Sequence, residues 1–215
     1  MEFLNFITYG NPSIENKEKL EKNTIVMDLY KELSKSEYPS NDSEEVKNEL
    51  EEIVQSMKDL DNDENAPYLV RYINYDKGLI TLLIKTLSEM GVKEEMMIRN
   101  IYDDISPLIL KLKYKYQRPR PYQLAQYYKL KLFPFRSNSV GTPSFPSGHT
   151  IQSQVILGVL GQKYPKYYSQ FKKMAEDIGY SRIYLGHHYP SDNDFGHLVA
   201  QRILEHPEFV KKYGI

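Results

Sequence analysis

The sequence predicts an all-α, single-domain helical bundle. Apolar residues recur at helical spacing along most of the chain, no stretch alternates with period two between turn signals, and proline and glycine fall at the edges of the periodic segments. At 215 residues the chain can build one domain with a sizeable core, whereas two halves would each be small.

The segment "NDSEEVKNELEEIVQSMKDL" opens on capping residues at Asn41 to Ser43, carries acids in its first turn and has a sparse apolar stripe through Val46, Leu50, Ile53 and Met57. It reads as a surface helix. A second helix is expected from after Pro67 to about Met90, with Gly91 as its C-terminal cap, and a third from about Lys93 to Asp104. Ser106-Pro107 matches an N-cap followed by proline at the first helical position, opening "LILKLKYKYQ" up to the stop before Pro119. Proline-punctuated loops around 117–122 and 134–147 flank the short helix "YQLAQYYKL", and helices at about 148–162, 166–184 and 192–205 complete the chain.

The net charge of -1 conceals an uneven distribution. Residues 1 to 104 hold 23 of the 29 acidic residues, whereas Ile105 to Ala175 contain no Asp or Glu and 12 Lys or Arg. The middle third is an anion attractor, suited to a small phosphorylated substrate or to nucleic acid; solvation of helix faces is the plainer use for most of these lysines. With no cysteine, disulfides, thiolate metal sites and thiol nucleophiles are excluded, leaving His, Asp, Ser, Lys or Arg for any chemistry. The longest apolar runs, "GLITLLI" and "VILGVLG", fall short of the roughly 20 residues that cross a bilayer, so no transmembrane segment is expected. The N-terminus lacks a basic leader and a cleavage site, and a soluble, cytoplasmic protein is the expectation.

Chemistry concentrates in three segments. "PSGH" stands where a loop becomes the helix carrying Ile151, Val155 and Val159, so Ser147, Gly148 and His149 occupy a helix N-terminus, where free N–H groups and the helix dipole attract anions. A bare cap and a first-turn surface histidine would look the same. Arg182 continues the inward stripe of Phe171, Ala175 and Ile178, so its guanidinium needs an anionic partner, either a late carboxylate or a ligand phosphate. Asp192 lies four residues beyond His188 across a turn, where it can hold one imidazole nitrogen and leave the other free to attack. Lys111 and Arg118, seven residues apart, would share a helix face about 10 Å apart along the axis.

Together these read Lys111-x6-Arg118-Pro119, Pro146-Ser147-Gly148-His149 and Ser181-Arg182-x5-His188-x3-Asp192. The set resembles the three-part signature of the type 2 phosphatidic acid phosphatase and vanadium haloperoxidase superfamily, which includes bacterial nonspecific acid phosphatases. Residues 1–100 are read as an acidic helical part of the same domain and 101–215 as the catalytic core. The resemblance covers residues 111 to 192, says little about the first hundred or so, and implies an α-helical bundle. It implies that Lys111, Arg118 and Arg182 clamp phosphoryl oxygens with Ser147 and the Gly148 N–H. It also implies that His188 is the nucleophile of a phosphohistidine mechanism, Asp192 its support and His149 the acid that protonates the leaving oxygen.

No metal and no cofactor is expected, and the implied activity is hydrolysis of a small phosphorylated substrate. A haloperoxidase using bound vanadate in the same cage is the alternative enzyme, and a non-catalytic anion or nucleic-acid binder is the alternative of another class. A pure binder has no need of the orienting Asp192, so nucleic acid is not expected. Homo-oligomerisation is left open. His187 is read as a hydrogen-bonding residue at the pocket edge, and His197, His206 and Asp194 as surface or core-edge groups. Tyr122, Tyr127, Tyr128, Phe133, Phe135 and Phe145 are read as core in the first instance, and as a nucleobase or acyl contact in the second.

Overall fold

A computed structural model describes residues 2–215, and helices account for the architecture of these residues without a β-strand. In chain order they are α1 (Ile14–Leu20), α2 (Tyr30–Leu33), α3 (Glu44–Leu60), α4 (Ala66–Lys77), α5 (Leu79–Glu89), α6 (Glu95–Tyr116), α7 (Pro121–Ala125), α8 (Gly148–Lys163), α9 (Tyr168–Tyr184), α10 (Pro190–Leu204) and α11 (Pro207–Tyr213), with short 3-10 turns between. The all-α bundle expected from the sequence is the fold observed.

The central element is α8. Its inward residues are not one stripe, since Ile151, Val155, Ile156, Leu157, Val159 and Leu160 are all buried, and a helix apolar on every side is one enclosed by others. It packs on α9, α10 and α6. Contact with α10 is close at Gly196, where an added Cβ would lie 3.1 Å from Thr150 Cβ and 3.3 Å from the Ser147 carbonyl oxygen. The N-terminus of α8 therefore lies in the interior of the protein.

Two of the expected helix boundaries fall elsewhere. The helix expected over Pro67 to Met90 is two, because Gly78 adopts an extended backbone, and the break ends α4 just beyond Asp76. The helices expected on either side of Ser106-Pro107 are one, α6, with Pro107 buried inside it. Ser106 does not cap: its hydroxyl turns back to donate to the Tyr102 carbonyl at 2.6 Å. Burial of Ile101, Ile105, Leu108 and Ile109 along one continuous helix outweighs the local preference for a stop. Finally, α3 is capped as expected, with Ser43 accepting from the Val46 N–H, but besides Val46, Leu50 and Ile53 it also buries Glu49.

Helices α3 and α4 lean on α9. A second apolar cluster joins Val46, Leu50 and Ile53 of α3 to Leu124, Leu132, Ile183 and Tyr189, so α3 backs the turn that follows α9. That turn passes through Gly186 at φ +76°, a left-handed conformation that favours glycine. Among the described residues no helix is long and apolar enough to cross a membrane.

Candidate active site

Around the α8 N-terminus the fold gathers charged and polar side chains from six helices and the loops between them. Residues Arg118, Arg120, Ser144, Ser147, Arg182, His188 and Asp192 are all buried, a costly arrangement unless each charge finds a partner.

His188 follows the α9 turn, and its Nδ1 lies 2.9 Å from Asp192 Oδ2 in the first turn of α10. The carboxylate can only accept, so the Nδ1 carries the hydrogen and Nε2 is left unprotonated, an acceptor. That Nε2 lies 2.9 Å from Arg120 Nη1, which also donates to the His187 carbonyl. Asp192 Oδ2 further accepts from Ser144 Oγ and, at 3.0 Å, from the Tyr189 N–H. Burial and the nearby Arg120 and Lys113 push the His188 imidazolium well below its usual range, against the opposing pull of Asp192. His188 is therefore neutral. Asp192 is buried too, yet Arg118 and His188 hold its carboxyl below the ordinary carboxylate range.

Ser147 precedes α8 with an extended backbone, and its hydroxyl does not cap the helix. It lies 2.8 Å from Thr150 Oγ1, which is also 2.8 Å from Asn193 Oδ1, while the Ser147 N–H donates to the Asp192 carbonyl. A Cβ at Gly148 would meet only Ile109 Cγ2 and Lys113 Cε, both at 3.6 Å. Packing alone thus accepts alanine there, and the glycine keeps open the space beside Lys113. His149 is partly exposed, and burial with the fields of Arg182 and His188 pushes its imidazolium well down.

The structure does not bring together every expected residue. Lys111 faces away, its ammonium 4.8 Å from the centre of the Tyr30 ring. The inward lysine is Lys113, whose Nζ donates to the carbonyls of Pro143 at 2.7 Å and Ser144 at 3.1 Å. Two residues along a helix turn a side chain by about 200°, so the two lysines cannot share a face. Arg118 is close by but committed, with Nη1 donating to Asp192 Oδ1 at 2.7 Å and Nη2 to Glu49 Oε2 at 2.8 Å. The helix also ends before it, at the left-handed Gln117, so the expected common helix face does not exist. The arginine beside His188 is Arg120.

The sequence "KLKYKYQRPRP" satisfies K-x6-R-P twice, from Lys111 and from Lys113, and the second pair, Lys113 and Arg120, is the one that lies beside His188. Lys113 continues the buried stripe of Ile98, Ile105 and Ile109, a signal that could have separated the two.

Arg182 is buried as expected, but its partner is an early carboxylate. Its Nη1 donates to Asp76 Oδ1 at 2.6 Å and its Nη2 to Ser139 Oγ at 2.8 Å, while Nε has no partner among the described residues. Asp76 also accepts from the Ser137 and Ser139 hydroxyls, and Arg182 with these donors holds its carboxyl down at about 2 despite burial. Glu49 and Asp76 were missed by sequence reasoning. Each sits where an apolar stripe wants an apolar residue, Glu49 three after Val46 and Asp76 four after Tyr72, and that misplacement was the available clue.

Asp76→Ala would leave a buried guanidinium without its counter-charge and is expected to destabilise the fold by about 3–5 kcal/mol, read by denaturant unfolding. Asp76→Asn should cost less, because the amide oxygen can still accept from Arg182.

His187 Nε2 donates to the Phe135 carbonyl at 2.8 Å, so it is a hydrogen-bonding residue. Burial and Arg182 push it down to about 3. Asp194 and His197 are exposed, while His206 is buried with Nε2 3.1 Å from Asp28. Of the aromatics, Phe145 is core, stacked on Phe195 at 4.6 Å, whereas Phe133 is 79% exposed.

The sequence profile of the PAP2 superfamily matches residues 97–204, half of the chain, a span that holds every one of these basic groups, both histidines and Asp192. The chain belongs to the PAP2 superfamily. Helices α6 to α10 are thus its PAP2 segment, and Glu49 and Asp76 reach that segment from outside it. A non-specific acid phosphatase of Salmonella typhi is 33% identical over 86 residues, 40% of this chain. The match spans about a third of that relative's length (34%).

Proposed function

We propose that the protein is a phosphatase that hydrolyses phosphomonoesters through a phosphohistidine on His188, the PAP2 cluster binding the phosphoryl group. The observation that carries this is the pairing of His188 Nδ1 with Asp192, which turns an unprotonated Nε2 toward a guanidinium at the N-terminus of α8.

In this reading Lys113, Arg120 and Arg182, with the α8 N–H groups, bind the phosphoryl oxygens. Burial and the nearby Arg120 hold the Lys113 ammonium well below the usual lysine range, and a phosphoryl dianion would favour its charged form. Phosphoryl transfer depends mainly on positioning and charge stabilisation, which these three basic groups and a helix N-terminus can supply. One Arg120 N–H occupies the His188 lone pair. A phosphoryl oxygen is the better acceptor for that N–H, so binding the substrate would also release the nucleophile. His188 Nε2 then attacks phosphorus, the bond to the leaving oxygen breaks, and His149 gives that oxygen its proton. Water next attacks the phosphohistidine, His149 takes its proton, and inorganic phosphate leaves with His188 neutral again.

The charge balance supports His149 as the acid. Four basic side chains (Lys113, Arg118, Arg120 and Arg182) stand against three carboxylates (Glu49, Asp76 and Asp192), at most one net positive charge with the histidines neutral. A phosphate dianion reverses that sign, and a proton on His149 neutralises it. The free protein depresses His149, so the substrate itself recruits the proton.

Purified protein is expected to release phosphate from p-nitrophenyl phosphate and from a panel of phosphomonoesters. Because His149 must be protonated in the complex, kcat should fall as pH rises through the His149 pKa of the bound state. Absence of phosphate release across the panel between about pH 5 and 7 would sink the reading.

A further inference from the structure

Arg118 is a basic residue of the cluster that the reaction above leaves unused, and it is built into a chain of alternating charge. Among the described residues, Asp192 Oδ2 receives three donors, but Oδ1 is held by Arg118 Nη1 alone. The same Nη1 donates to Ser191 Oγ at 2.8 Å, and Nη2 donates to Glu49 Oε2. Glu49 closes the ring by accepting the Ser191 N–H through Oε1 at 2.7 Å. The guanidinium carbon lies 3.8 Å from the Tyr189 ring centre and 5.0 Å from that of Tyr38. With both terminal nitrogens committed and an aromatic ring against its plane, Arg118 offers a phosphoryl oxygen no free fork.

We propose that Glu49 and Arg118 are positioning residues, which act through Asp192 to fix the orientation and proton affinity of His188. This rests on His188 being the nucleophile.

Arg118 pins the Asp192 carboxylate so that Oδ2 points at Nδ1, and its charge keeps Asp192 from taking the imidazole proton. Unopposed, that positive charge would also weaken the field with which Asp192 stabilises His188 as its Nε2 gains a bond to phosphorus. Glu49 restores the balance, leaving the Glu49–Arg118–Asp192 chain with one net negative charge. The two residues should therefore move His188 in opposite directions. The other charged or titratable groups acting on His188 are Arg120 from the loop before α7, Lys113 from α6 and His149 from α8.

The test is titration of the His188 ring nitrogens by NMR in the whole protein with labelled histidine, together with kcat and KM for p-nitrophenyl phosphate. Arg118→Gln is expected to raise the His188 titration midpoint by about one pH unit or more, and Glu49→Gln to lower it or hold it below the accessible range. Both should lower kcat roughly 10- to 100-fold, the cost of a misplaced nucleophile, with KM within about threefold of the parent. Arg118→Lys keeps the charge but not the fork, so it should restore the midpoint more fully than kcat.

An unmoved midpoint in both glutamine variants overturns the proposal. So does a raised KM with kcat preserved in Arg118→Gln, which would make Arg118 a substrate ligand. If Arg118→Gln does not fold, the near-isosteric Glu49→Gln decides alone: kcat and midpoint both unchanged reject the chain. Failure of the phosphohistidine reading would show separately, as absence of phosphate on His188 in the parent protein, and leaves the titration interpretable.

Discussion

Replacing His188 by alanine is expected to reduce p-nitrophenyl phosphate hydrolysis by roughly 10^4-fold or more, because it removes the atom that attacks phosphorus and leaves only binding and electrostatics. The variant should fold, since the lost ring leaves Asp192 Oδ2 with Ser144 and the Tyr189 N–H, and Oδ1 with Arg118. Rapid acid-free quenching of the parent during turnover should trap label from a phosphorus-32 substrate on the protein, stable to base and labile to acid, and His188→Ala should trap none. His149→Ala should behave differently. It removes the proton for the leaving oxygen, so hydrolysis of an alkyl phosphate should fall by about 10^2- to 10^4-fold, while p-nitrophenyl phosphate, whose leaving group needs little help, falls less. Equal loss on both substrates would argue against His149 as the acid.

The second large effect separates the two readings of the K-x6-R-P segment. Lys113→Ala and Arg120→Ala are each expected to lower kcat/KM by about 10^2- to 10^3-fold, the scale of removing one preorganised donor from a developing charge. Lys111→Ala should leave kcat/KM within about twofold of the parent, since a half-exposed lysine over Tyr30 contributes at most about 1 kcal/mol and does so to the fold. Inorganic phosphate as a competitive inhibitor gives the same ordering without turnover. A large loss in Lys111→Ala with none in Lys113→Ala would return the site to the first register.

The contrast between these lysines shows what the sequence could and could not say. His188 and Asp192 were legible because both lie within one short turn, where spacing fixes geometry. Ser147, Gly148 and His149 were legible because a glycine before an apolar helical run marks a helix N-terminus. Arg182 was legible as buried from the stripe it continues, but not its partner, because Asp76 is 106 residues away and pairing at that range depends on how helices pack. Lys111 and Arg118 do not share the expected helix face because a motif written with spacers assumes one conformation across them. Here α6 ends at Gln117 and the chain turns, so the arginine arrives from a loop. The merged α6 and the split at Gly78 have the same origin: local stop and start signals are worth about 1–3 kcal/mol each, and burial of a whole helical face can exceed them.

Two guanidinium groups in the PAP2 segment are neutralised by carboxylates that precede it, Arg118 by Glu49 and Arg182 by Asp76. This makes the first hundred residues an internal counter-ion. A fragment cut back to α6–α10 would contain every residue proposed for bond-making and still hold an incomplete site, since it would have to bury two positive charges that its own chain only partly offsets. It would either open to water at those arginines or bind anions indiscriminately in place of the missing carboxylates, so it would retain phosphate without discriminating in favour of it.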